Sequence, residues 1–345
     1  MADFDPNGVG IANGNIFGFP VREDEADIVI MPIPWDVTTS YGKGTSKGPH
    51  QVLEASTQLD FYHPECPKAY DTKVFMTPVS EEALKINDFF VPQTSEYIEY
   101  LENGGRLAES SKFQQLLFDV NQAQNAIQDS IKMRAHGMIK KGQIPAILGG
   151  EHSVPLGLID ALTHSYQSFG ILQLDAHADL RNAYEDFEQS HASIFFNALK
   201  FPQVSKLVQV GIRDVAESEV QLIAASNGRV KTFFDWDLKS QQYAGKTWGQ
   251  QVEEIINELP DFVYISYDID ALRPELCPNT GTPVAGGFQL EELSYLLLKL
   301  AQSNKKIIGF DLSEVSNGVT NDWDANVGAR ALWSLVIATE INRRG

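Results

Sequence analysis

From residue 144 onward the chain alternates short apolar runs with segments of helical periodicity, and this alternation narrows the possible folds more than any other feature. The runs are "IPAILGG" (144–150), "FGILQLD" (169–175), "KLVQVG" (206–211), "FVYISYD" (262–268) and "KIIGFDL" (306–312). Each is short, rich in β-branched or aromatic residues, and closed by glycine or an acid, as a buried strand is. Helical segments separate them: "SIFFNAL" (193–199), 247–258, 289–301, and a last helix over 326–341. Strands that are apolar on both faces and alternate with helices predict an α/β fold with a mostly parallel sheet covered on both sides. Upstream, "DIVIMPIPWD" (27–36) reads as an early strand and "GPHQVLEAST" (48–57) as a helix begun at Pro49. Over 113–141, Leu116, Leu117, Val120, Ala123, Ile127, Ile131 and Met138 make a helical face closed by Gly142. Residues 1–25, rich in Gly, Asn and Asp, read as an N-terminal arm. Residues 76–112 mix helical hints with breakers and read as an insertion or subunit-contact element. No Pro-, Ser- or charge-rich linker interrupts the pattern, so residues 1–345 read as one domain.

Charge restricts the partners. With 27 basic and 46 acidic residues, the formal net charge is −19, a field that repels nucleic acid and anionic membrane and attracts a small cation. Two cysteines far apart, Cys66 and Cys277, provide no disulfide framework and no thiolate zinc site. The opening "MADFDPNGVG" lacks the basic-then-apolar order of a signal peptide. No apolar run approaches the ~18 residues of a membrane span. The expectation is a cytoplasmic protein.

In an open parallel sheet, ligands gather beyond the carboxyl ends of the strands, and here those ends carry polar residues. After "IPAIL" come Gly149, Gly150, Glu151 and His152; after "ILQL", Asp175, His177 and Asp179; after "VYISY", Asp268 and Asp270; after "KIIGF", Asp311 and Glu314. In extended chain, residues two apart point to one side, so Asp175, His177 and Asp179 can converge. Four carboxylates and two imidazoles, from His152, Asp175, His177, Asp179, Asp268 and Asp270, would repel or stay unpaired unless cations sit among them. Six ligands exceed the usual four of one zinc and suit two divalent ions bridged by carboxylates. Oxygen-rich ligation with two histidines favours manganese, with nickel as the alternative.

At these residues the chain resembles the ureohydrolases: arginase, agmatinase, formimidoylglutamase and guanidinase. The matching pieces are "GGEHS" (149–153), "DAHAD" (175–179), "SYDIDAL" (266–272), "CPNTGTPVAGG" (277–287) and "GFDLSEV" (309–315), with a weaker match at "GKGTSKGP" (42–49). The resemblance implies a three-layer α/β/α sandwich and two manganese ions per chain. One would be held by His152, Asp175, Asp179 and Asp268, the other by Asp175, His177, Asp268 and Asp270. It also implies a proton-shuttling or substrate-contacting role for His191, guanidinium binding by Glu314, and assembly as trimers or hexamers. Some positions depart from the commoner pattern: Glu151 stands where Asp is frequent, Ala192 where Gly is usual, and Arg273 where Asp is often found. The "GD" pair of many relatives is missing between residues 70 and 90.

The reaction so implied is hydrolysis of a guanidino C–N bond to urea and an amine. Divalent ions lower the pKa of water and so supply a nucleophile that the resonance-stabilised guanidinium carbon otherwise lacks. Glu314 would orient the carbon, and Asp270 and His191 are the candidates for bringing a proton to the leaving amine. Between "DAHAD" and His191 the loop "LRNAYEDFEQS" (180–190) carries Glu185, Asp186 and Glu188. Three acids receive a carboxylate poorly and a remote ammonium well, which favours agmatine over arginine. Wording such as "DLRNAYE…SHAS" is likewise most similar to agmatinases of archaeal type. Arginase, guanidinase or formimidoylglutamase activity on the same centre is the alternative. A single-zinc deacetylase and a non-catalytic paralogue are the rivals; six intact ligands speak against both. Cys277, in the "CPNTGTP" loop, reads as structural, since no base or helix start lies beside it.

Overall fold

In the computed structural model, residues 4–318 and 321–345 are described. Eight strands, all parallel, form one sheet: β1 Ile28–Ile33, β2 Val74–Met76, β3 Ile144–Gly149, β4 Phe169–Leu174, β5 Val204–Ile212, β6 Val230–Phe234, β7 Phe262–Asp268 and β8 Lys306–Ser313. Their order across the sheet is β2-β1-β3-β8-β7-β4-β5-β6. Ten α-helices cover it: α1 Gly48–Ser56, α2 Glu81–Glu102, α3 Ser111–Lys140, α4 Leu156–Thr163, α5 Ile194–Ala198, α6 Glu217–Ala225, α7 Asp235–Tyr243, α8 Trp248–Asn257, α9 Leu290–Ala301 and α10 Trp323–Arg344.

The period of two in the strands builds the layers. Ile28, Ile30, Leu148, Leu172, Val208 and Ile265 face one side and pack with Val52 of α1, Ile255 of α8, Leu296 of α9 and Leu335 of α10. Val29, Met31, Ile147, Ile171, Leu207 and Tyr264 face the other and pack with Phe90 of α2, Leu117 of α3, Leu158 of α4 and Phe195 of α5. The result is the expected α/β/α sandwich. A fully buried Leu or Ile of this kind contributes about 1.5–3 kcal/mol. Both faces of the sheet are therefore needed for stability.

Several regions differ from the sequence reading, which placed no element at β2 or α4. Residues 230–234 form an edge strand, flanked by α6 and α7, where the pattern showed no element. Only Val230 of β6 is buried, so no continuous apolar run marks it. The breakers in 76–112 are also absorbed: most of the stretch is α2, with Pro92 inside it and Ser80 capping its start by accepting from Ala83 N. Its Phe90, Thr94, Tyr97 and Ile98 are buried. Of the arm, residues 1–3 lie outside the described residues. Its Ile16, Phe17 and Phe19 are buried, with Phe17 and Phe19 packed against Phe61 and Trp333. Asn15 laces the arm to the edge strand β2, accepting from Met76 N and donating to Val74 O. That covers part of an edge that would otherwise offer unpaired backbone groups.

The strand order reverses at the sheet centre: β3 and β4, consecutive in sequence, are separated by β8 and β7. A crevice opens at such a switch point. The four strands beside it are the ones whose ends carry the acids and histidines.

Candidate metal centre and cavity

Backbone contacts fix the end of β3. Gly150 N donates to Ile33 O, Glu151 N to Trp35 O, and Glu314 N to Gly150 O, each at 2.8 Å. A Cβ on Gly150 would lie 2.1 Å from Trp35 O, so only glycine fits this turn. His152 follows, buried, and its neighbour Ser153 is held from α3. Gln124 donates to Ser153 Oγ at 2.8 Å and Gln128 to Ser153 O at 3.0 Å. These two glutamines sit on the helix face that periodicity marks as apolar.

His152 Nδ1 faces three carboxylate oxygens: Asp179 Oδ2 at 3.0 Å, Asp175 Oδ2 at 3.1 Å and Asp268 Oδ2 at 3.2 Å. Its other nitrogen, Nε2, lies 2.9 Å from Ser266 Oγ. With the proton assigned to Nε2, the Nδ1 lone pair points at the carboxylates. A second group lies alongside: His177 Nδ1 is 2.9 Å from Asp270 Oδ2 and 3.7 Å from Asp175 Oδ1. Asp175 belongs to both groups, one oxygen to each. Ligand atoms of His152, Asp175 and Asp179, and those of Asp175, His177 and Asp270, come close enough together to hold an ion. Asp268 lies on the His152 side, while its Oδ1 accepts from Asp270 N at 2.9 Å.

The electrostatics follow from this crowding. Burial and the charge on Asp175 push the Asp179 carboxyl up to about 7. Burial, with Asp270 and Asp175 nearby, raises Asp268 well above the usual range. Burial would also raise Asp175, but the flanking His152 and His177 hold it well below. Burial would lower both imidazoles; the surrounding carboxylates raise them well above their ordinary value. Such a set is tolerable only with positive charge among the acids. His152 Nδ1 is buried without a hydrogen-bond partner while three carboxylate oxygens surround it, which fits a cation at their common centre.

Above these groups opens a cavity of about 140 Å³ lined by His152, His177, Asp179 and Asp268, with His191 and Glu314 on its wall. It has room for about ten water-sized groups, the scale of a small linear molecule. Glu314 adopts a left-handed backbone (φ 65°), as does Asp179 (φ 53°); such strain, of order 1–3 kcal/mol each, gathers at functional sites. Glu314 Oε1 accepts from His152 N at 2.8 Å, and Oε2 is buried without a partner. His191 Nε2 lies 3.4 Å from Ser40 Oγ, and Nδ1 has no partner. Burial and the positive charges of His177 and Lys43 push the His191 imidazole down to about 3. It is therefore neutral near pH 7.

The 180–190 acids are placed elsewhere. The chain reverses through left-handed Ala183, Glu185 and Asp186, and none of Glu185, Asp186 and Glu188 lines the cavity. Asp186 instead accepts from Tyr97 OH at 3.1 Å, tying the loop to α2. Glu185, pushed up to about 7 by burial, lies near Lys43. The cavity's other acids, Asp214 and Glu219, come from the segment after β5. Glu219 is occupied, accepting from Leu180 N and Ala216 N, each at 2.9 Å. Asp214 is largely exposed, with Oδ2 3.8 Å from His177 Nε2. Both escaped the sequence reading, although "GIRD" after "KLVQV" carried the same signal of an acid closing a strand.

No helix among the described residues is long and apolar enough to cross a membrane. Among curated proteins, the N(1)-aminopropylagmatine ureohydrolase of Thermus thermophilus is 30% identical over 295 residues, covering 85% of this chain and 84% of that protein. The agmatinase of Bacillus anthracis is 26% identical over 298 residues, covering 85% and 84%. Among solved structures, the agmatine ureohydrolase of Thermoplasma volcanium superposes with a TM-score of 0.73 at 22% identity, covering 97% of each chain. The Arginase family model matches residues 26–338, the whole sheet and every residue of the cavity, and the chain belongs to that family of ureohydrolases.

Proposed function

We propose that this protein hydrolyses the guanidino C–N bond of a linear, cationic guanidino compound, agmatine above all, giving urea and putrescine. The observation that carries the reading is Asp175, shared between the His152 and His177 groups at the floor of the cavity. His152, Asp175, Asp179 and Asp268 would hold one divalent ion; Asp175, His177, Asp268 and Asp270 the other. When bound, manganese ions, or nickel, supply Lewis acidity that activates water at neutral pH. Every other part of the task falls to side chains. Glu314 Oε2, buried and unpartnered, accepts from the guanidinium N–H groups and sets the carbon over the floor. Asp270, whose carboxylate accepts from Ala176 N at 3.0 Å, and His191 are the candidates for bringing a proton to the departing nitrogen. One C–N bond breaks, the elements of water are added, and the amine leaves protonated.

Asp214 at the rim is the acid best placed for the substrate's remote ammonium, a role that the loop position of Glu185 and Asp186 does not support. The Thermus relative's name favours a second candidate, agmatine extended by an aminopropyl group. The test is product release from agmatine, N1-aminopropylagmatine, arginine, guanidine, guanidinobutyrate and formimidoylglutamate, with manganese or nickel supplied. Urea is assayed for all but the last, which would give formamide. Agmatine or its aminopropyl derivative should give the highest kcat/KM. Preference for arginine or guanidine would remove the agmatine reading; no product from any substrate by ion-loaded protein would remove the hydrolase reading.

A further inference from the structure

A row of polar side chains runs across the last three strands of the sheet, from β4 to the edge strand β6, where apolar residues would be expected. In the parallel register Gln173 of β4 sits beside Gln209 of β5, and Gln209 beside Thr232 of β6. Neighbours in register point to the same face. Both glutamines are completely buried, and a buried amide costs stability unless all its groups are bonded. Here they are. Thr232 Oγ1 donates to Gln209 Oε1 at 2.7 Å. Gln209 Nε2 donates to Gln173 Oε1 and to Ala178 O, each at 2.7 Å. Gln173 Nε2 donates to Asp175 Oδ2 at 2.8 Å and to His177 O at 2.9 Å.

The direction of the row is fixed. Turning either amide over would put its carbonyl against another oxygen, a carboxylate in one case and a main-chain carbonyl in both. Every donor therefore points toward Asp175. Its other oxygen, Oδ1, is held by His177 N at 2.6 Å. A row of donors ending on a carboxylate fixes the direction in which its oxygens point. The same bonds also hold the carbonyls of His177 and Ala178, so they fix the backbone that carries the second imidazole.

We propose that Thr232, Gln209 and Gln173 hold the Asp175 carboxylate in one orientation, making Gln173 a positioning residue for divalent-cation binding. The proposal rests on the metal-centre reading above and assigns it a support reaching to the edge of the sheet. Supports of this kind typically change metal affinity ten- to a hundredfold when removed.

The test is competitive Mn²⁺ titration of the full-length chain against a chelator, together with melting of the chelated protein. Gln173→Met keeps length and volume and removes both donors; it should weaken Mn²⁺ binding about ten- to a hundredfold. Thr232→Val acts from the far end, at a partly exposed edge position, and should cost about two- to fivefold through the row alone. Added to Gln173→Met, it should cost nothing further, because the row is already cut. If both variants bind Mn²⁺ as the wild type does, whatever their melting temperatures, the row only stabilises the sheet and the proposal is overturned. An equal Thr232→Val penalty in both backgrounds overturns it as well. Should Gln173→Met not fold, Thr232→Val alone decides, unchanged affinity overturning the proposal. A wild type that binds no Mn²⁺ overturns the metal centre along with it; tight wild-type binding with indifferent variants overturns the row alone.

Discussion

Removing the proposed cations with a chelator should reverse the sign of this protein's response to pH. In the ion-free chain Asp179 is raised from its ordinary 3.8 to about 7 by burial and by Asp175. Such a carboxyl destabilises the fold when ionised. The cost grows as pH rises above the unfolded value of 3.8 and is complete once pH has passed about 7. Between pH 6 and pH 8 this one group removes on the order of 1 kcal/mol. For a chain of this length that is about 2 °C in melting temperature. His152 and His177, raised well above their ordinary value, act in the same direction, since their stabilisation is lost as pH rises through their folded pKa values. Bound ions require deprotonated ligands, so the loaded protein should instead gain stability over the same window. The assay is calorimetry or dye-monitored melting from pH 6 to pH 8, with manganese and with excess chelator. The chelated wild type should melt at least about 2 °C higher at pH 6 than at pH 8, and Asp179→Asn should lose part of that difference. A chelated protein whose melting temperature is flat or rises with pH would refute the reasoning, as would an Asp179→Asn variant with the full wild-type slope.

Other substitutions separate the roles. Asp175→Ala should abolish turnover and lower bound metal below one ion per chain, whereas His152→Ala should remove mainly one ion; elemental analysis distinguishes them. Asp214→Asn should raise KM for agmatine about twofold, the worth of one largely exposed ion pair of about 0.5 kcal/mol, with kcat little changed. Asp186→Asn should leave KM unchanged, since that carboxylate is turned to Tyr97. Glu314→Gln should lower kcat as well as kcat/KM in urea-release kinetics, because the side chain orients the reacting carbon. Cys277→Ser should retain most turnover: the thiol is buried, and burial raises it well above its ordinary value, with Asp324 adding to the effect.

What the chain reveals before it is folded follows from how each element is buried. The central strands lie between two helix layers, so their sequences are continuous apolar runs and their ends, where the burial stops, announce the polar residues. The edge strand β6 has no such run: four of its five residues are half or fully exposed, and it escapes detection along with its flanking helices. α2 hides for a different reason. Pro92 lies in its interior, where a proline normally ends or kinks a helix, and burial of Phe90, Thr94, Tyr97 and Ile98 outweighs that preference. Acids within a loop give a net charge to its sequence but no direction. Glu185 and Asp186 look like a substrate rim, yet neither lines the cavity.

The two glutamines of the sheet interior were legible as letters but not as a constraint. A single Gln in "ILQLD" breaks an apolar run and reads as a minor irregularity. Its meaning depends on the register that sets Gln209 beside it and on Asp175 two residues further along the chain, just past the strand end. The same geometry distinguishes the two carboxylates proposed to be shared, Asp175 and Asp268. Asp179 and Asp268 are pushed up by burial, while Asp175 alone is held well below the usual range, set between two imidazoles. A carboxylate that must stay ionised and serve two centres has the least freedom to rotate. It is also the one that receives a fixed donor from inside the sheet and a second from the backbone of His177. Charge, register and donor direction therefore single out one residue, and loosening Asp175 should disturb both halves of the centre, whereas loosening His152 should disturb one.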